Sequence, residues 1–127
     1  MENSAIIDAC VFIEHWRSKN KEGTLLAKLH QQQRKLYVSA VAKYEVLAGA
    51  DNEEMNAWYQ LFDNVIVLAF DDVTIDYAQK IYRQLKQENK LIDTTDILIA
   101  ATAMTNDLPL ATFNRNHFER IQGLRMI

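Results

Sequence analysis

Three acidic residues in this chain stand in settings where an ionised side chain is costly unless something pairs with it. Asp8 separates the apolar pair Ile6-Ile7 from Ala9-Cys-Val-Phe-Ile, Glu45 lies within Val41-Ala-Lys-Tyr-Glu-Val-Leu-Ala, and Asp96 directly precedes Ile97-Leu-Ile-Ala-Ala. An unpaired buried carboxylate is strongly disfavoured, so such acids face solvent, pair with a cation or hold a metal. Each also has a plain structural reading. Asp8 reads as a helix N-cap, Glu45 as a residue on a solvent-facing edge, and Asp93 as the cap of a helix whose first turn contains Asp96. Thr112 and Asn114, in Ala111-Thr-Phe-Asn-Arg-Asn-His-Phe, are ordinary turn and cap residues, yet their oxygens also suit a hard cation, directly or through water.

Taken together the acids favour metal binding. Carboxylates gathered without cations repel one another, and an oxygen set with no His-rich or Cys-rich partners suits Mg²⁺ or Mn²⁺ better than Zn²⁺. Such an ion polarises a phosphate and lowers the pKa of a bound water, which points to phosphodiester chemistry. In this reading Asp8, Asp96 and Glu45 hold the ion, Glu45 directly or through water. Thr112 and Asn114 orient a water or an outer ligand, and Asp93 is a cap or outer helper.

The elements that must bring these residues together are legible as alternating apolar runs and helical stretches. Ser4 to Ile7, Leu36 to Ser39, Val65 to Phe70, Leu110 to Phe113 and Leu124 to Ile127 read as strands. Helices are expected over Cys10 to Arg17, Thr24 to Gln33, Ala40 to Ala50, Glu53 to Phe62, Val73 to Gln87, Thr95 to Thr105 and a short stretch near Arg115 to Ile121. Tyr77, Ala78, Ile81, Tyr82 and Leu85 repeat at helical spacing, which predicts a helix covering one sheet face. The run from Ile97 to Ala103 is apolar nearly all round and is expected to sit deep. Strands joined through helices form a mainly parallel α/β sheet, with ligands at the carboxyl ends of its strands.

Composition sets the bounds. A chain of 127 residues with 49% hydrophobic and 24% charged residues, three Gly and one Pro describes one packed domain over 1–127 rather than a disordered or repetitive chain. The single cysteine, Cys10, forms no internal disulfide and reads as a small core residue. A start at Met1-Glu-Asn-Ser without a basic and apolar leader predicts a cytoplasmic setting. The net charge of −3 argues against general electrostatic coating of nucleic acid. Local strips at Lys80, Arg83, Lys86 and Lys90 and at Arg115, Arg120 and Arg125 remain, and Arg115 is the candidate phosphate contact. His117, with no second imidazole beside it, reads as structural or exposed, and Trp16, Trp58, Tyr59, Phe62 and Phe70 as packing residues.

The chain resembles the PIN-domain nucleases, and within them the VapC toxins of toxin-antitoxin pairs. The resemblance rests on Ile7-Asp-Ala, on Val41 to Gly49 with Glu45, on Asp96-Ile-Leu-Ile-Ala-Ala-Thr-Ala, and on Leu110-Ala-Thr-Phe-Asn-Arg-Asn-His-Phe-Glu-Arg-Ile. It implies a three-layer α/β/α domain with a central, mainly parallel sheet of four to five strands. It further implies Mg²⁺- or Mn²⁺-dependent endoribonuclease activity, a homodimer and a cognate VapB-like antitoxin. By motif, Asp8, Glu45 and Asp96 match the acidic metal ligands, and Thr112 and Asn114 match the family's Thr-x-Asp/Asn element. Asn114 stands where many members have Asp. The lost charge leaves open a one-metal site, and with it the alternative of a weak or inactive module that binds RNA or antitoxin. A phosphotransfer reading with Asp8 as nucleophile is disfavoured, because Cys10 occupies the place of the second Asp that haloacid-dehalogenase-like phosphatases use.

Overall fold

The computed structural model describes residues 3–127; Met1 and Glu2, where the leader expectation begins, lie outside them. Four parallel strands, β1 (Ser4–Ile7), β2 (Lys35–Ser39), β3 (Ile66–Leu68) and β4 (Leu110–Ala111), form a sheet in the order β3-β2-β1-β4. The chain thus grows outward from β1 through β2 to β3, then returns to the other side of β1. The crevice between β1 and β4 is the point where strand order reverses, and parallel sheets bind ligands beyond their carboxyl ends at such a point.

Helices follow each strand as the apolar spacing predicts: α1 (Ala9–Arg17), α2 (Leu25–Gln31), α3 (Ala40–Ala48), α4 (Met55–Phe62), α5 (Asp72–Gln87), α6 (Thr94–Thr105) and the short α7 (Arg115–Phe118). Their starts are set by side chains that satisfy free backbone donors: Thr24 caps α2, Ser39 caps α3 and Asp71 caps α5. All four residues of β1 are buried, as befits a central strand covered on both faces. Ile97, Ile99, Ala100, Ala101 and Ala103 of α6 are buried as well, in line with that helix's apolar character.

Three expectations need correction. The strand expected over Leu124 to Ile127 is reduced to a single parallel bridge, Leu110 to Met126, because β4 has only two residues and can offer no longer ladder. β4 itself stops at Ala111 rather than reaching Phe113, since the Thr112 hydroxyl accepts from the Asn114 amide at 2.9 Å and turns the chain. The helix α5 packs chiefly along α6 rather than directly on the sheet, so α6 forms the layer between them.

Candidate active site

Register places the first two site residues side by side. Ile7 pairs with Ala111, so the residues that follow, Asp8 and Thr112, leave neighbouring strands together at the reversal point. The Asp8 amide donates to the Ala111 carbonyl at 3.0 Å, and the Thr112 hydroxyl donates to Asp8 Oδ2 at 2.7 Å. The other carboxylate oxygen, Oδ1, accepts from the Ala9 amide at 2.8 Å. Asp8 is therefore both the cap of α1 and a fixed acid at the crevice, the two readings its sequence position allowed.

Asp96 arrives from the first turn of α6, where the helix dipole favours an acid. Two residues reach it from the end of β4: Asn114 Nδ2 at 3.3 Å and His117 Nδ1 at 2.9 Å, both on Asp96 Oδ2. A carboxylate oxygen accepts, so His117 meets Asp96 with a proton on Nδ1. That leaves Asn114 Nδ2 at 3.0 Å from a second donor, His117 Nδ1.

Glu45 lies half-buried on α3, the helix that follows β2, and completes the pocket from that side. Asp8, Ala9, Cys10, Glu45, Asp96, Phe113 and Asn114 line one open cavity of about 440 Å³. Its electrostatics are those of crowded acids. Burial pushes the Asp8 carboxyl above its ordinary value, the Thr112, Ala9 and Cys10 hydrogen bonds pull it back, and the Asp96 charge raises it further. Burial also raises Glu45, with Asp8 next in effect and Asp96 and Asp93 adding smaller pushes.

Among the described residues, no three His, Cys, Asp or Glu side chains form a ready-made cage for a metal ion. Mg²⁺ does not ask for one: it keeps several waters and binds through one or two carboxylates. The all-oxygen donor set, and the repulsion by which neighbouring acids raise Asp8 and Glu45, fit a hydrated hard cation held by Asp8 and Asp96, with Glu45 and Asn114 reached directly or through water.

The acids carry a pH signature. A carboxyl whose proton is held more tightly in the folded than in the unfolded state favours folding below its unfolded value, 3.8 for Asp, and that contribution is lost as pH rises through the higher folded value. In metal-free protein, Asp8→Asn is therefore expected to be more stable than the parent near neutrality, with the difference shrinking as pH falls through the raised Asp8 value. Paired thermal melts across acid to neutral pH measure it, and a gap that widens on acidification contradicts the assignment.

Residues 5–124 match the family model for the PIN domain. The chain belongs to the PIN-domain family. It is 30% identical to Ribonuclease VapC1 of Methanocaldococcus jannaschii over 98% of this chain and 88% of that protein. It is 28% identical to the tRNA(fMet)-specific endonuclease VapC of Shigella flexneri over 84% and 85% of the two chains. Among solved structures, VapBC-1 from nontypeable Haemophilus influenzae superposes with a TM-score of 0.85 at 23% identity, covering 97% of this chain and 96% of that one. DNA-bound VapBC from Salmonella typhimurium gives 0.84 at 22%, covering 98% and 96%. At those identities the structures speak to the fold, which is the PIN fold described above.

In this PIN domain, Asp8, Glu45, Asp96 and Asn114 line one cavity and Thr112 is bonded to Asp8 behind it. Asp93 is the exposed N-cap position of α6 and makes no side-chain cap bond, although its charge reaches Glu45. Arg115, exposed at the start of α7, donates through Nη1 to the Ile127 carbonyl at 2.7 Å, so it ties down the C-terminal residues. Two residues gain roles the sequence analysis did not give them. His117 bonds Asp96, a placement signalled by its position three residues after Asn114, where one turn of helix brings both to the same face. Cys10 packs against the core, as expected, and also lines the cavity, with its thiol donating to Asp8 Oδ2 at 3.4 Å; burial, then the Asp8 charge, pushes that thiol up and keeps it a poor nucleophile.

Proposed function

We propose that this chain is a divalent-metal-dependent endoribonuclease, the toxin of a toxin-antitoxin pair, acting as a single domain in the cytoplasm on RNA and restrained by a VapB-like antitoxin. The observation that carries this is the convergence of Asp8, Glu45, Asp96 and Asn114, from four separate segments, on one cavity at the strand-order reversal. Relatives named ribonuclease and solved VapBC toxin-antitoxin complexes support the assignment, and the family resemblance supports a homodimer.

Bound Mg²⁺ or Mn²⁺ supplies phosphate polarisation and an ionisable water. The chain's own residues supply the positions. Asp8 is locked by Thr112 and Ala9, and Asp96 by His117 and Asn114, so both carboxylates meet a cation without first losing side-chain freedom. Glu45, across the pocket on α3, completes the negative wall that a bare phosphodiester does not approach unaided.

Purified, antitoxin-free protein is expected to cut RNA with Mg²⁺ or Mn²⁺ and to stop with EDTA. If a panel of structured and single-stranded RNAs stays intact with both metals, the enzyme reading fails. Asn114 in place of Asp favours one alternative, a binding module without turnover. Manganese titration calorimetry separates the two, since that module binds RNA or antitoxin but no metal.

A further inference from the structure

One large apolar side chain at the cavity is explained neither by packing nor by the chemistry of the acids. Phe113 is 53% exposed, whereas its neighbours Ala111 and Thr112 are buried, so the fold spends no core volume on its ring. Its backbone is nonetheless held. Thr112 before it is bonded to Asp8, the Asn114 amide after it donates to Thr112 Oγ1, and the Phe113 amide approaches the Cys10 sulfur. The ring therefore stands at a defined place on the wall of the cavity that Asp8, Glu45 and Asp96 share.

We infer that Phe113 is a substrate-binding residue that stacks on a base of the RNA strand next to the phosphate held at the acids. The inference deepens the ribonuclease reading and rests on it. A chain with net charge −3 and an acidic pocket attracts no polyanion by its overall field. Stacking carries no charge, tolerates any base because every base has a π-face, and works on strands whose bases are unpaired. A cavity of about 440 Å³ has the size of a small-ligand site, consistent with room for one nucleotide beside the ring. Phe113 thus provides affinity that the acids cannot, from the wall of the same cavity.

The test compares the parent, Phe113→Ala and Phe113→Trp with an unstructured RNA and Mn²⁺. Phe113→Ala is expected to raise KM by about 5- to 100-fold with kcat changed far less, and Phe113→Trp to restore it. In stopped-flow mixing with Mn²⁺, an RNA carrying the fluorescent base aminopurine near the cleavage position is expected to be quenched on binding, before the strand is cut, and Phe113→Ala to abolish the quenching. Unchanged KM and quenching in Phe113→Ala overturn the inference while leaving the nuclease standing. Loss of kcat alone also overturns it, because it marks a disturbed Thr112–Asn114 turn, as does a change of oligomeric state with KM unmoved. If the parent cuts no RNA yet shows Phe113-dependent quenching, the nuclease reading fails and the stacking site stands.

Discussion

Asp8→Asn and Asp96→Asn are each expected to lower RNA cleavage on the order of 10³-fold or more while leaving the protein folded. Asn keeps the shape of the side chain: its oxygen can accept from the Ala9 amide as Asp8 Oδ1 does, and its amide can meet the Thr112 hydroxyl that now donates at 2.7 Å. What disappears is the charge proposed to hold a cation. The loss should therefore appear in a measurement that needs no turnover. Saturating Mn²⁺ stabilises a protein that binds it only when folded, by about 2.7 kcal/mol at a hundredfold excess over Kd. The parent's Tm should rise on adding Mn²⁺, and that rise should vanish in either variant. Variants that retain both cleavage and the Mn²⁺-induced rise would show that the carboxylates are caps and nothing more.

His117 sharpens the same point. Its ring fixes Asp96 at 2.9 Å, so removing it leaves the acid present but free to turn. The effect belongs to positioning rather than to loss of charge, and a tenfold to hundredfold fall in metal affinity is the size expected of a group that orients a ligand. This residue also marks a boundary of what the sequence discloses. Asp8, Glu45 and Asp96 stand out because a charge inside an apolar run is visible along the chain. His117 does not, because its meaning comes from a partner 21 residues away on another helix.

The strands follow the same division. Ser4 to Ile7 and Leu36 to Ser39 are apolar runs with clear ends, and the structure places strands there with shifts of a residue or less. The pairing of Ile7 with Ala111, which seats Thr112 against Asp8, depends on which strands become neighbours, and no local pattern states that. The end of the chain shows the opposite failure. Leu124 to Ile127 reads as a strand by composition, but a strand needs a partner of matching length, and β4 presents two residues before Thr112 turns away. The apolar character of Phe113 extends the expected strand over it, whereas the turn at Thr112 ends β4 at Ala111 and leaves the ring exposed on the cavity wall.

Phe12→Ala is expected to destabilise the fold by about 3–5 kcal/mol, a large part of the 5–15 kcal/mol typical of a whole domain. Phe12 is fully buried and meets Phe62 edge-on with ring centroids 5.1 Å apart. Phe62 in turn stacks on Trp58 at 5.9 Å, and Trp58 on Trp16 at 4.4 Å, so one aromatic column ties α1 to α4. Removing its inner ring leaves a cavity among rigid rings that cannot readily close over it. The consequence reaches the site because α1 begins at Ala9, immediately after Asp8, and a loosened helix no longer holds that cap in place. Thermal or urea unfolding should show the loss directly, with Tm lower by about 10 °C or more. Phe113→Ala, which removes an equal ring from the exposed wall, should stay within about 0.5 kcal/mol of the parent. Two phenylalanines of identical chemistry then report separately, one on stability and one on RNA binding. A Phe12→Ala protein as stable as the parent would mean that the aromatic column does not hold α1 against α4.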